Sequence, residues 1–376
     1  MRFRLLVVLA VLLVGVVPAS AVPASAAQQE QAQCSFPYSA TDATGANVTV
    51  EEEPQRVVAL QASTAQIMWE IGAKDKVVGM PVRSYTAYLD GSKERTDVLT
   101  DGGMAVDVEQ VVKLDPDLVV APGSIADEQI QQIRDAGIPV YKFASDTSIE
   151  SIYRQIERVG RLTGECEGAE RTVSDMRDRV QLIEGAVEGE ERPRVLYTFY
   201  GYTAGNGTFI DSVITAAGGQ NVAAEAGIQG YAQISEEQVV KQDPEWIVTP
   251  NDAPLPNGTA YESTTAFRKN QTVTVNASLM NQAGPRVVQP MTKLAKTFHP
   301  EAVEEALASA DAANGTNGTD DSAGTNGTDG TNGTNASADA TDGNGSGGTG
   351  GSGPGFGVAA AVVALVGAAL LTLRRT

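Results

Sequence analysis

One pattern of apolar and polar positions occurs twice along this chain. It reads EQVVKLDPD at Glu109–Asp117 and EQVVKQDPE at Glu237–Glu245, an offset of 128 residues. In the first copy Val108, Val111, Val112 and Leu114 recur at helical spacing. An Asp-Pro turn and the apolar run Leu118-Val-Val-Ala121 follow. In the second copy Val239-Val240 precede Asp243-Pro-Glu and Trp246-Ile-Val-Thr249. Short unbroken apolar runs bounded by turns read as strands buried on both faces, the signature of a parallel sheet. The likeness extends upstream. A strand at Arg56–Leu60 leads to a helix over 65–72 with Ser63 or Thr64 as its N-cap. A strand at Arg194–Thr198 leads to a helix over 209–218 capped by Thr208. Each copy alternates strands and helices, so each predicts an α/β lobe with a mostly parallel sheet.

Between the copies, residues 148–187 keep helical periodicity. Ile149, Ile152, Ile156, Val159 and Leu162 share one face. Ala169, Val173, Met176, Val180 and Ile183 continue it past an interruption at Thr163–Gly168. A long rigid helix joining two lobes is expected, with an N-terminal lobe over 27–147 and a C-terminal lobe over 188–310.

The ends have a different character. Arg2 and Arg4 precede an apolar run from Leu5 to Val17 and Ala-x-Ala sites, which reads as a secretory signal peptide over 1–26. An N-terminal membrane anchor is the alternative, disfavoured by the run's short length. Residues 311–353 are almost wholly Gly, Thr, Asn, Asp, Ser and Ala. They have too little apolar surface to offset ordering entropy and read as a disordered linker. Sequons at Asn314, Asn317, Asn326, Asn332, Asn335 and Asn344 mark it for glycosylation. Residues 354–376 hold Pro354-Gly-Phe-Gly357, an apolar run of 16 residues from Val358 to Leu373, and Arg374-Arg375. This tail resembles an archaeal sorting signal that an archaeosortase removes and replaces with a lipid. A short C-terminal span is the alternative. Either one tethers the body outside the cell.

Charge narrows the partners. Six of the 47 acids and four of the 27 bases lie outside residues 27–310, leaving 41 and 23 and a net charge of −18. Such a surface repels nucleic acid and suits a halophile. The two cysteines, Cys34 and Cys166, are not in a C-x-x-C pair, so no zinc site is expected. In an exported chain they are expected to form a disulfide.

The order of motifs carries a resemblance. Thr41-Asp-Ala-Thr-Gly45 is followed by Ile71-Gly-Ala-x-Asp-x-Val-Val-Gly79, Ala136-Gly-Ile-Pro-Val140, Gly218-Gly-Gln-Asn-Val222, Ile234-Ser-Glu-Glu237, Gly284-Pro-Arg286 and Thr297-Phe-His-Pro300. Over residues 45–308 this is similar to the substrate-binding proteins of ABC importers for metal chelates, the class III periplasmic-binding-protein-like fold. It is most similar to the vitamin B12-binding branch. The resemblance implies a monomer that captures a corrinoid such as cobalamin and delivers it to a membrane permease and its ATPase. Cobalamin is then the transported ligand, and no cofactor is expected. Ferric siderophore and haem are alternative ligands on the same scaffold. The resemblance places the ligand between the lobes, against Arg83, Tyr85 and Tyr88 on one side and Tyr202 and Tyr231 on the other. It places Glu109 and Glu237, the first letters of the repeat, against permease arginines; the competing reading is two ordinary helix-start acids. Trp69 and Trp246 read as core residues.

An enzyme is not indicated. The single histidine, His299, begins a terminal helix and reads as structural. The chain has no G-x-S-x-G, H-E-x-x-H or Walker motif. A structural surface glycoprotein would account for the sequons but not for two matched lobes.

Overall fold

The computed structural model describes residues 34–103 and 105–316. The expected signal peptide, nearly all of the linker and the apolar tail lie outside these residues. The described chain opens with a hairpin, β1 (Tyr38–Thr41) antiparallel to β2 (Asn47–Val50). The first lobe then runs β3 (Val57–Ala59), α1 (Ala62–Glu70), β4 (Val77–Met80), β5 (Thr96–Asp97), α2 (Val108–Lys113), β6 (Leu118–Ala121), α3 (Asp127–Asp135) and β7 (Val140–Lys142). Its five strands are parallel in the order β5-β4-β3-β6-β7. Val57, Val58 and Ala59 at the centre are fully buried, because helices cover both faces of such a sheet.

Two helices follow, α4 (Ile149–Thr163) and α5 (Cys166–Ala186). The second lobe begins with β8 (Arg194–Tyr197), β9 (Tyr202–Ala204), α6 (Phe209–Ala216), β10 (Gln220–Asn221), α7 (Val222–Glu225), β11 (Tyr231–Gln233) and α8 (Glu236–Gln242). It continues with β12 (Trp246–Pro250), α9 (Thr259–Glu262), α10 (Thr265–Arg268) and β13 (Thr272–Val275). Its main sheet is parallel in the order β10-β8-β12-β13, while β9 and β11 form a separate antiparallel pair. The described chain closes with α11 (Ala277–Met280), α12 (Val288–Phe298) and α13 (Pro300–Thr316).

The repeated sequence forms the same lock in both lobes. Asp115 and Asp243 both take left-handed backbone, at φ of 46° and 40°. Asp117 Oδ2 accepts from the Arg56 amide at 2.9 Å, and Glu245 Oε2 from the Arg194 amide at 2.9 Å. The Arg56 and Arg194 side chains donate back to the carbonyls of Asp115 and Asp243. Arginine, turn and acid thus fix the starts of two neighbouring parallel strands, β3 beside β6 and β8 beside β12.

The connector differs from the expected single rod. Gly164, at φ +82°, ends α4 in left-handed backbone, and the chain turns back into α5. Gly160 allows the close approach of the two helices, since a Cβ there would stand 2.5 Å from the Cβ of Ala169. Gly168 seats α5 on the first lobe, where a Cβ would fall 1.8 Å from the Ile71 carbonyl oxygen. Cys34 and Cys166 form the expected disulfide, with Cα atoms 5.8 Å apart, at the first residue of α5.

Other boundaries shift for local reasons. Helix α1 starts at Ala62 with Gln61 as its N-cap, and Thr64 sits one turn in with its hydroxyl on the Gln61 carbonyl. Thr208 caps α6 as expected, accepting from the Asp211 amide. Helix α13 continues through residues 311–316, which composition assigned to the linker, because alanines before Asn314 favour helix. Trp69 and Trp246 are only partly buried and pack against the edge of the core. His299 is buried at the junction of α12 and α13, with Nε2 3.2 Å from the Gly218 carbonyl oxygen. Among the described residues, no helix is long and apolar enough to cross a membrane.

Candidate functional site

Helices α2 and α8 run back to the amino ends of the strands that follow them. The segments after β4, β7, β8 and β12 leave the opposite, carboxyl ends, where ligands bind in open parallel sheets. Across the lobes, the segment after β4 and helix α1 meet the segment after α11. Tyr88, after β4, donates from its hydroxyl to Gln282 Oε1 at 2.9 Å and accepts from Gln66 Nε2 at 2.6 Å. Gln282 donates to the Tyr85 carbonyl at 3.1 Å, and the Arg286 amide to Gln66 Oε1 at 2.9 Å. Arg286 pairs with Glu70 at 2.5 Å and lies over the Tyr88 ring at 5.1 Å. A Cβ at position 284 would stand 2.5 Å from Gln66 Oε1, so a larger residue than Gly284 would push that side chain off the Arg286 amide. This seam ties the end of the second lobe to α1 of the first.

Two expected ligand residues therefore have other work. The Tyr88 hydroxyl is committed to the seam in both its donor and its acceptor roles. The Arg83 guanidinium pairs with Asp97 and donates to the Thr100 carbonyl, so a ligand anion would compete with Asp97 for it. Tyr85, Tyr202 and Tyr231 differ from them. All three are partly buried, and none of their hydroxyls hydrogen-bonds a protein group among the described residues.

Tyr202 and Tyr231 share a small platform. Strand β9 pairs with β11 so that Ala204 faces Tyr231, and Tyr202, two residues away, lies on the same face. Phe199 fills the corner, its ring 6.2 Å from both Tyr202 and Tyr231 and nearly perpendicular to the latter. The platform is aimed by a two-residue turn. Phe199 and Tyr202 exchange backbone hydrogen bonds, and Tyr200 and Gly201 between them have φ of 49° and 81°. Positive φ at both central residues is what a type I′ hairpin turn demands. The sequence reading missed Phe199, whose aromatic neighbours at 197, 200 and 202 were the available signal.

It also missed two acids. Asp146 follows β7, and burial pushes its carboxyl up to about 6 against the opposing Ser151 hydroxyl and Arg154 field. With its amide NH2 turned toward Asp146, buried Gln155 places nitrogen 2.7 and 3.2 Å from the two carboxylate oxygens. Across the lobes stands Tyr231, whose hydroxyl is raised by burial and then by the charge of Asp146. Asp252 follows β12; burial raises its carboxyl, and its Oδ1 is buried with no partner among the described residues. Nearby, fully buried Tyr197 donates to Asn281 Oδ1 at 2.5 Å. Among the described residues no three His, Cys, Asp or Glu side chains gather as a metal site.

Glu109 and Glu237 occupy equivalent places. Each is the second residue of its helix, after a capping Asp107 or Ser235, and each is exposed. Both helices start on the carboxyl-end side of their sheets. Glu237 lines an open groove with Glu236, Val240, Lys241, Thr259 and Ala260.

A family model described as periplasmic binding protein matches residues 57–277, from β3 into α11, and so takes in both lobes. The "Cobalamin-binding protein" of Halobacterium salinarum is 40% identical to this chain over 390 residues, covering 99% of each. The "Vitamin B12-binding protein" of Vibrio parahaemolyticus is 23% identical over 67% of this chain and 92% of its own. The periplasmic heme-binding protein RhuT from Roseiflexus sp. RS-1, in apo form, shares the fold. Its TM-score is 0.59 at 24% identity, covering 66% of this chain and 99% of that one. Two parallel-sheet lobes, a seam between them and a match spanning both lead to one conclusion: this chain belongs to the periplasmic binding protein family.

Proposed function

We propose that this chain is the extracellular binding component of an ABC importer, that it captures a corrinoid, and that the corrinoid is cobalamin. The observation that carries this reading is the set of three partly buried tyrosines, Tyr85, Tyr202 and Tyr231, with hydroxyls that no protein group among the described residues uses. Such side chains stack on a flat ring and hydrogen-bond its rim. The relatives named for cobalamin and vitamin B12 agree with it. The site binds and releases its ligand without changing it. The ligand passes to a membrane permease that docks on Glu109 and Glu237. The body is exported as a monomer and tethered by the glycosylated linker, after loss of residues 358–376 and addition of a lipid. Recovery of the intact C-terminal peptide from membranes would overturn that last step.

The test of the ligand is a melting shift of the full chain with cyanocobalamin, haemin and a ferric siderophore in turn. Ligand at 100 times its Kd adds about 2.7 kcal/mol. A shift with cyanocobalamin alone supports the corrinoid reading. A shift with haemin or the siderophore alone replaces it with the alternative ligand.

A further inference from the structure

The carboxyl ends of the two sheets hold two acids that form no salt bridge among the described residues, and several cations that are already matched. Asp146 comes from the first lobe and Asp252 from the second. The carboxylate of Asp146 is met by the neutral Gln155 amide and the Ser151 hydroxyl. Asp252 keeps one oxygen buried and unbonded among the described residues. The Tyr200 hydroxyl donates to the backbone carbonyl of Asp252 and leaves the carboxylate alone. Three cations that follow or flank the strands have partners of their own: Arg83 with Asp97, Arg286 with Glu70 and the Tyr88 ring, Lys142 with Asp127. Arg154 also acts on Asp146, from an exposed position on α4. A half-buried acid without a salt bridge costs stability, and such a cost is commonly retained for function.

Resting on the corrinoid reading, we propose that Asp146 and Asp252 make the site select tetrapyrroles with amide rims over those with carboxylate rims. Carboxylates accept hydrogen bonds from primary amides. A ligand propionate would meet them as a like charge and leave both poorly solvated. With Arg83 and Arg286 occupied, no free arginine fork at these positions receives that propionate. The aromatic corner supplies flat contact that either macrocycle can use, so the acids carry the discrimination.

The experiment is fluorescence titration of the full chain with cyanocobalamin and with haemin. It uses the wild type, Asp146→Asn, Asp252→Asn and the double variant, each first shown to melt cooperatively. Asparagine keeps size and an acceptor while removing charge. The wild type is expected to prefer cyanocobalamin by about 100-fold or more, the scale of a like-charge penalty. The double variant should narrow that preference by about tenfold, chiefly through tighter haemin binding. A preference unchanged within about twofold in folded variants overturns the selectivity role and leaves the corrinoid reading standing. If the wild type binds haemin and not cyanocobalamin, the corrinoid reading itself falls.

Discussion

Tyr231 and Asp146 face each other across the lobes, and each makes a distinct prediction. The Tyr231 ring is fixed edge-on against Phe199, with one face of its platform shared by Tyr202. Ring stacking contributes about 0.5–1.5 kcal/mol beyond area burial. Tyr231→Ala should therefore weaken cyanocobalamin binding several-fold or more in calorimetry, and an unchanged affinity would remove it from the site. For Asp146 the sign follows from burial. Its carboxyl is raised from 3.8 to about 6 in the folded chain, so the folded state holds the proton more tightly than the unfolded state. Stability contributed by the neutral acid is full below pH 3.8 and is lost as pH rises through about 6. The loss is at most about 3 kcal/mol, from the size of the shift. Asp146→Asn should thus raise the melting temperature of the ligand-free chain at pH 8 and leave it unchanged near pH 3.5. Equal stabilisation at both pH values would show that charge is not the cause.

The seam built from α1, the segment after β4 and the segment after α11 is the element that decides how the lobes are held. Gln66, Tyr88 and Gln282 satisfy one another's donors and acceptors, and their positions lie up to 216 residues apart in sequence. Tyr88→Phe leaves a buried amide hydrogen and an amide oxygen short of a partner. A cost of about 1–2 kcal/mol in denaturant unfolding is expected. Cyanocobalamin affinity should change by less than about twofold, because the hydroxyl serves the seam. A large loss of affinity with unchanged stability would return Tyr88 to the ligand site. The connector adds stiffness through helix packing: α5 is held to the first lobe by the Gly168 contact and to the N-terminal segment by the Cys34–Cys166 disulfide. In the chain-entropy model a bridge over 132 residues stabilises by about 4–5 kcal/mol.

At the scale of the whole molecule, two exposed glutamates stand at equivalent helix positions in two lobes that the seam keeps in register. Two carboxylates on a stiff base suit two guanidinium forks on a permease. Close charge pairs at interfaces couple by roughly 1.5–7 kcal/mol. In near-molar salt, where the Debye length is about 3 Å, such contact pairs outweigh long-range steering. Glu109→Ala and Glu237→Ala should each slow uptake, the double variant more, with ligand affinity unaltered. A double variant that transports normally would reduce both to helix-start acids. A permease Arg→Glu change that partly rescues the matching Glu→Arg variant would confirm the pairing.

The repeat made the two lobes legible because it encodes local physics: an apolar run buried on both faces, an Asp-Pro turn, a capped short helix. Those depend on neighbours in sequence, so Arg56–Leu60, Arg194–Thr198 and the Thr208 cap were readable. The break at Thr163–Gly168 was readable too, but whether α5 continues α4 or folds back beside it was not. That depends on Gly160 meeting Ala169 and Gly168 meeting Ile71. Tyr85, Tyr88, Tyr202 and Tyr231 were singled out by the resemblance, not by any local pattern. Which tyrosines keep a free hydroxyl was decided only when Gln282 arrived beside Tyr88 and the Phe199 corner formed under Tyr231. Asp146 and Asp252 look like any other acid in a chain of 47, and Arg83 like any free cation. Sequence alone determined what the repeated segments become, because helix, strand and turn preferences act over a few residues. Tertiary structure decided which polar groups are already satisfied, because burial and pairing join atoms far apart along the chain.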